Sequence, residues 1–347
     1  MVGTMARLRV LLRTARVRGT SPRPAAAPCP GDEVLLDAPD ERLGPALVAA
    51  AHGAYEPAAG LLAGTRENAE WEHRDRYATR LAAFARSRAE WLTRWRAAAP
   101  ADPDALLVAA RLAVDRHWDS PARAELLRPA VPPVLAVAEE AGRDPVPWRI
   151  ALDAARGTRA GHTDFERLWA EAVRRAPHHY GCHVAALEYL ADASPAAHPA
   201  CLDFAETAAQ DAPEGAEVRA LPLLAAFACL RDDGAAAVPR ARLDAAADLA
   251  VALSAAQPAA DPWPAELRNL LAYVLVRLER WPDALEQLRL TGPYVTSFPW
   301  GRDAEDPLGR FLRVRAGVRA TVAAGVPGTG SGHPPRGQGG RATPGDH

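Results

Sequence analysis

Apolar residues recur three and four positions apart along most of the chain, with arginines and acids between them. This is the period of helices that turn one face inward. The clearest run is Tyr77, Leu81, Phe84, Trp91 and Trp95, with arginines and glutamates on the other side. Such an aromatic stripe reads as packing between helices, because each large ring withdrawn from water contributes roughly 2–3 kcal/mol. Helical stretches close four times on a proline: AAAP at 97–100, RRAP at 174–177, QDAP at 210–213 and AAQP at 255–258. Proline lacks the N–H that a helix interior needs and clashes with the preceding turn, so this punctuation predicts hairpins of paired helices. Pro57 and Pro282 fall just inside the second helix of such a hairpin, where the missing N–H would be unpaired anyway.

Composition strengthens the helical reading. Ala and Leu dominate, and Ile150 is the only isoleucine, a bias that favours helix over strand. The expected fold class is therefore all-α, with helical repeats over 40–324. The flanks, a Pro/Ala/Arg-rich segment at 1–39 and a Gly/Pro-rich tail at 325–347, have no apolar period and are expected to be disordered.

Charge removes several classes of function. All 41 basic side chains are arginine, which excludes a P-loop lysine, a Schiff-base lysine and a lysine general base. Residues 1–31 hold six arginines and no acid, so with a net charge of −2 overall the body is acidic. An acidic body argues against a nucleic-acid-binding face, and the basic arm is assigned no function. The short apolar run at 10–12 is interrupted by Arg9 and Arg13, so neither an export signal nor a membrane span is expected. Four scattered cysteines, Cys29, Cys182, Cys201 and Cys229, read as reduced apolar fillers and point to a cytoplasmic location.

One cluster invites a chemical reading: His178, His179, Tyr180, Gly181, Cys182 and His183, followed by His198 and Cys201. His179 and His183 stand one helical turn apart, a spacing that suits two metal ligands, and the histidines flank Cys182 as they would flank a nucleophile. A helix over 180–191 with its antiparallel partner starting near Pro199 would, however, separate the two groups by roughly 18 Å at about 1.5 Å per residue. Zinc bonds of about 2 Å cannot span that gap. There is no G-x-S-x-G, H-E-x-x-H or C-x-x-C, and Gly328, Gly330 and Gly332 lie in the tail. No catalytic residue, metal or cofactor is assigned.

Leu271, Ala272, Leu278, Trp281, Ala284 and Leu288 resemble the tetratricopeptide pattern: a large residue, a small one at the helix crossing, an aromatic near the turn, and a small one early in the second helix. Gly53, Tyr55 and Ala58 match its middle third, and Trp169, Ala172 and Pro177 its last. Trp95 departs from it, standing where a small residue is expected. The phrases RDPVPW, RRAPHHYGCH and TSFPWGRDAEDP are similar to helical-repeat proteins of GC-rich actinobacteria, a likeness that carries no activity. The resemblance implies a right-handed α-α solenoid of antiparallel hairpins whose first helices line a concave groove. Carrying that register over places Arg268, Asn269 and Tyr273 in the groove, with Arg111 and Glu188 as counterparts from earlier units. The implied function is a non-catalytic scaffold or adaptor that binds a protein or peptide. The alternatives are a regulatory sensor whose groove takes a small molecule or signal peptide, and a metal or cysteine enzyme built around 178–183.

Overall fold

The computed structural model describes residues 34–193, 197–231, 238–302 and 304–325. Cys29, the basic arm up to residue 33 and the tail beyond Gly325 lie outside the described residues. Each of the four proline signals follows a helix end. α1 (Leu43–Ala51), α2 (Glu56–Glu67), α3 (Trp71–Ala85) and α4 (Glu90–Ala98) precede Pro100. α5 (Pro103–Asp115), α6 (Arg123–Leu127), α7 (Val131–Glu140), α8 (Val146–Thr158) and α9 (His162–Arg175) lead to Pro177. α10 (Tyr180–Ala193) and α11 (His198–Asp211) lead to Pro213, and α12 (Leu221–Arg231) and α13 (Arg240–Ala255) to Pro258. α14 (Ala265–Arg277), α15 (Trp281–Thr291), the short α16 (Ser297–Trp300) and α17 (Pro307–Gly325) complete an all-α chain. Pro57 and Pro282 stand in the first turns of α2 and α15.

Four of the joints share one geometry. A residue one or two positions past the helix adopts a left-handed conformation: Gly53, Ala69, Arg159 and Glu279. The next N–H then reaches five residues back, from Ala54 to Ala49 (3.0 Å), Glu70 to Thr65 (2.9 Å), Ala160 to Ala155 (2.8 Å) and Arg280 to Leu275 (2.9 Å). This is the Schellman closure, which satisfies carbonyls left open at a helix C-terminus. At the link after α4, Asp102 does the complementary task for α5. Its carboxylate accepts the N–H groups of Asp104 (2.8 Å) and Ala105 (3.2 Å) and the indole N–H of Trp95 (3.1 Å).

The aromatic stripe is buried, with Tyr77, Leu81, Phe84, Trp91 and Trp95 all in the core. It does not belong to one helix face, because the chain breaks at 86–89 and the stripe divides between α3 and α4. Most neighbouring helices pair, and helices further apart in sequence touch in a continuous series: α3 on α5, α5 on α8, α8 on α10, α10 on α12 and α12 on α14. Residues 34–39, expected within the disordered flank, include β1 (Leu35–Leu36), which pairs in parallel with β2 (Tyr294–Val295). Nearby, Trp263 is stacked on His73 at 3.8 Å, lies 3.6 Å under the guanidinium of Arg76 and accepts a hydrogen bond from it at 2.8 Å. These contacts bring α3 and the first described residues against the segments flanking α14.

Two buried arginines tie the hairpins together. Arg74 in α3 donates to Asp144 before α8 (2.5 Å), to Asp104 in α5 (2.6 Å) and to the Leu62 carbonyl in α2 (2.9 Å). Arg268 in α14 uses all five of its N–H donors on neutral oxygens: Ser254 Oγ and the carbonyls of Ser254, Gln257, Pro258 and Leu290. Those oxygens cluster at the C-terminal ends of α13 and α15, where the helix dipoles favour a cation.

Candidate functional site

Charged residues spaced along helix faces converge on one cleft. Arg111 and Asp115 are four apart on α5, and Arg149, Asp153 and Arg156 occupy one side of α8, so each set projects in a common direction. Together with Arg86 after α3, Trp118 and Asp119 after α5, Glu188 on α10 and Arg302 after α16, they line a cavity of about 220 Å³. Its wall is almost entirely charged.

The ion pairs within it are ordered from one end to the other. Arg111 bridges Asp115 and Asp153. Arg149 donates to Asp75 (2.6 Å) and Thr79 (3.3 Å) of α3, and its Nε stands 3.7 Å from Asp153, too far for a hydrogen bond. Arg156 bridges Glu188 and Asp192 (2.8 Å to the latter), and its guanidinium lies 4.8 Å from the Trp118 ring centre. Burial raises the carboxyl of Asp153, but Arg149 and Arg111 overcome it and hold the group below its ordinary value. At Glu188 burial prevails over Arg156, and the carboxyl is pushed up. Burial works against the charge of Arg111, yet Asp153 and Asp115 outweigh it and hold the guanidinium protonated.

Of the five residues assigned to a groove by sequence, Arg111 and Glu188 line this cleft. The other three do not face a groove. Arg268 and Asn269 are 0% and 1% exposed, and Tyr273 is buried between Phe227 and Trp300. Asn269 donates to the carbonyls of Ala265 (2.7 Å) and Tyr294 (3.0 Å) and accepts the indole N–H of Trp300 (2.7 Å). Groups of α13, α15 and the 294–300 segment close over α14 at these residues and make them core. Arg149, Asp153, Arg156, Trp118 and Arg302 were not singled out from sequence. The i, i+4 and i+7 spacing of Arg149, Asp153 and Arg156 is the signal that could have found the first three.

The histidine cluster is divided as expected, with 178–183 at the start of α10 and His198 and Cys201 at the start of α11. His179 and His183 are buried rather than on a surface. His179 Nδ1 accepts the Cys182 N–H (3.2 Å) and Nε2 lies 3.4 Å from the Trp71 carbonyl, a pairing that fits the neutral Nε2–H tautomer. Burial lowers its pKa to about 4, against the pull of Asp75. The Cys182 thiol is fully buried and pushed well up by that burial, the reverse of what activates a nucleophile. Among the described residues no group of three or more His, Cys, Asp or Glu is placed to hold a metal ion, and no helix is long and apolar enough to cross a membrane. Compared with protein-family models, with curated proteins and with solved structures, the chain matches none.

Proposed function

We propose that the chain is a non-catalytic, tetratricopeptide-like scaffold, a right-handed α-α solenoid that binds a protein or peptide partner along the face bearing the charged cleft. The observation that carries this reading is the convergence of α5, α8 and α10, with the end of α3, on one cavity, together with the contact of each of these helices with the next in the series. In helical repeats that arrangement forms an extended binding face whose charges select the partner. The buried, proton-retaining thiol of Cys182 favours this reading over an enzyme built around 178–183. The buried free cysteines are compatible with a reducing, cytoplasmic setting. A native mass spectrum of the full chain, purified gently from the cells that make it, tests the proposal. A reproducible additional chain, lost in an Arg302→Glu variant, supports it; turnover of a substrate that depends on a body residue refutes it. The small size of the cavity favours a second reading, a sensor that retains a compact ligand, for which the same spectrum would show a small added mass.

A further inference from the structure

The guanidiniums of the cleft are not equally engaged. Arg111 and Arg156 each bridge two carboxylates. Arg149 spends one end on Asp75 and Thr79, while its buried Nε–H has no acceptor among the described residues. Arg86 approaches Asp119 only to 3.9 Å, with both side chains well exposed. Arg302 is exposed, and none of the described carboxylates pairs with it directly. Three donors with unused capacity therefore reach one cavity from α8, from the end of α3 and from the link after α16.

A buried N–H without an acceptor is costly, and the side chain that carries it lines the cavity. A carboxylate offers two oxygens in one plane, a geometry that a single guanidinium fork matches. Donors entering from three elements suit oxygens spread in three dimensions, as on a phosphate dianion. The cavity, about 220 Å³, is below the roughly 300–1,000 Å³ of sites for drug-sized ligands, which favours a compact group over a long side chain. The carboxylates Asp115, Asp153 and Glu188 in the wall are ion-paired, the first two sharing Arg111 and the third with Arg156, which lessens their opposition to such a group. We propose that this cleft binds a phosphate monoester, gripped by Arg149, Arg86 and Arg302. It is carried either by a free small molecule or by a phosphorylated side chain. The inference rests on the reading of this face as the binding face.

Calorimetric titration of the full chain at low ionic strength tests it, with inorganic phosphate, O-phosphoserine, ribose 5-phosphate and a phosphoserine peptide as probes. Saturable one-site binding of at least one ester is expected, weakened about tenfold by Arg302→Ala or Arg86→Ala, the loss of one charge-assisted contact. Both residues are exposed, so their variants keep the fold. Arg289→Ala on α15, whose partner is Glu286, should leave the affinity unchanged. Binding of the free esters assigns the site to a small molecule, and binding of the peptide alone assigns it to a phosphorylated partner. No saturable binding by any probe, or equal affinity in the Arg302 and Arg86 variants, overturns the proposal. A co-purified partner lost in Arg302→Glu, with no phosphate binding, would overturn this inference alone and leave the scaffold reading standing.

Discussion

Replacing Arg74 with Met would keep its apolar stem in the core and remove the charge that joins α2, α3, α5 and the start of α8. The guanidinium is 1% exposed, and Asp104 and Asp144 are 3% and 4% exposed, so water cannot replace it. Removing one partner of a buried pair typically costs ~3–5 kcal/mol. Here the lower half applies, because Asp104 keeps Arg66 at 3.3 Å and Asp144 keeps the Val146 N–H at 2.9 Å. The expected loss at neutral pH is about 3–4 kcal/mol, read as a lower urea midpoint at unchanged slope. The loss must also depend on pH. Burial already raises the carboxyl of Asp144 against the pull of Arg74, and without that arginine it rises further. The folded variant then binds a proton that the unfolded chain lacks, so its deficit grows as pH rises and shrinks as pH falls. Adding Asp144→Asn should recover about 1–2 kcal/mol, a coupling normal for residues in contact. A deficit below about 1 kcal/mol, or one independent of pH, would refute the reasoning.

Three further outcomes follow from the same contacts. His179 has its folded pKa lowered to about 4, so stability it contributes is complete above about 6.5 and is lost as pH falls towards 4, by about 3 kcal/mol in all. Glu72, 3.6 Å away and pushed up to about 8 by burial, acts in the opposite direction above its ordinary value. The urea stability of the wild type must therefore be compared with His179→Asn, and a difference that does not change between pH 7 and 4.5 contradicts the assignment. Gly181→Ala should lower the melting temperature although alanine favours helix by about 1 kcal/mol, because its Cβ would meet Asp75 Oδ2 at 2.1 Å and disturb the pair with Arg149. An unchanged or higher melting temperature would count against it. Arg268→Lys should cost at least about 2 kcal/mol in chemical denaturation, since three ammonium donors cannot serve five oxygens; wild-type stability would show those bonds to be dispensable.

Much of the helical order was legible because proline acts locally. Pro100, Pro177, Pro213 and Pro258 mark helix ends whatever packs around them, and Pro57 and Pro282 mark starts. The recurring joint was less visible. Only Gly53 announces its left-handed turn, whereas Ala69, Arg159 and Glu279 adopt the same turn under tertiary packing, with no residue type to signal it. The break between α3 and α4 was hidden by an aromatic spacing that continues across it. Of the residues named on the resemblance, Arg111 and Glu188 line the charged cleft. Arg268 and Asn269 are core, because closure by α13, α15 and Trp300 is a long-range event that no local pattern encodes. Arg302 reaches the cleft from the far end of the chain for a similar reason.

The central claim, that partners engage the cleft-bearing face, is tested most directly by site-specific photo-crosslinking in the cells that make the protein. A photoreactive residue would replace Asp119, exposed at the cleft, and Glu286 on α15 would serve as control. The account predicts a discrete adduct with one protein from 119 and none from 286. No adduct from 119, or the same adduct from both positions, would contradict it.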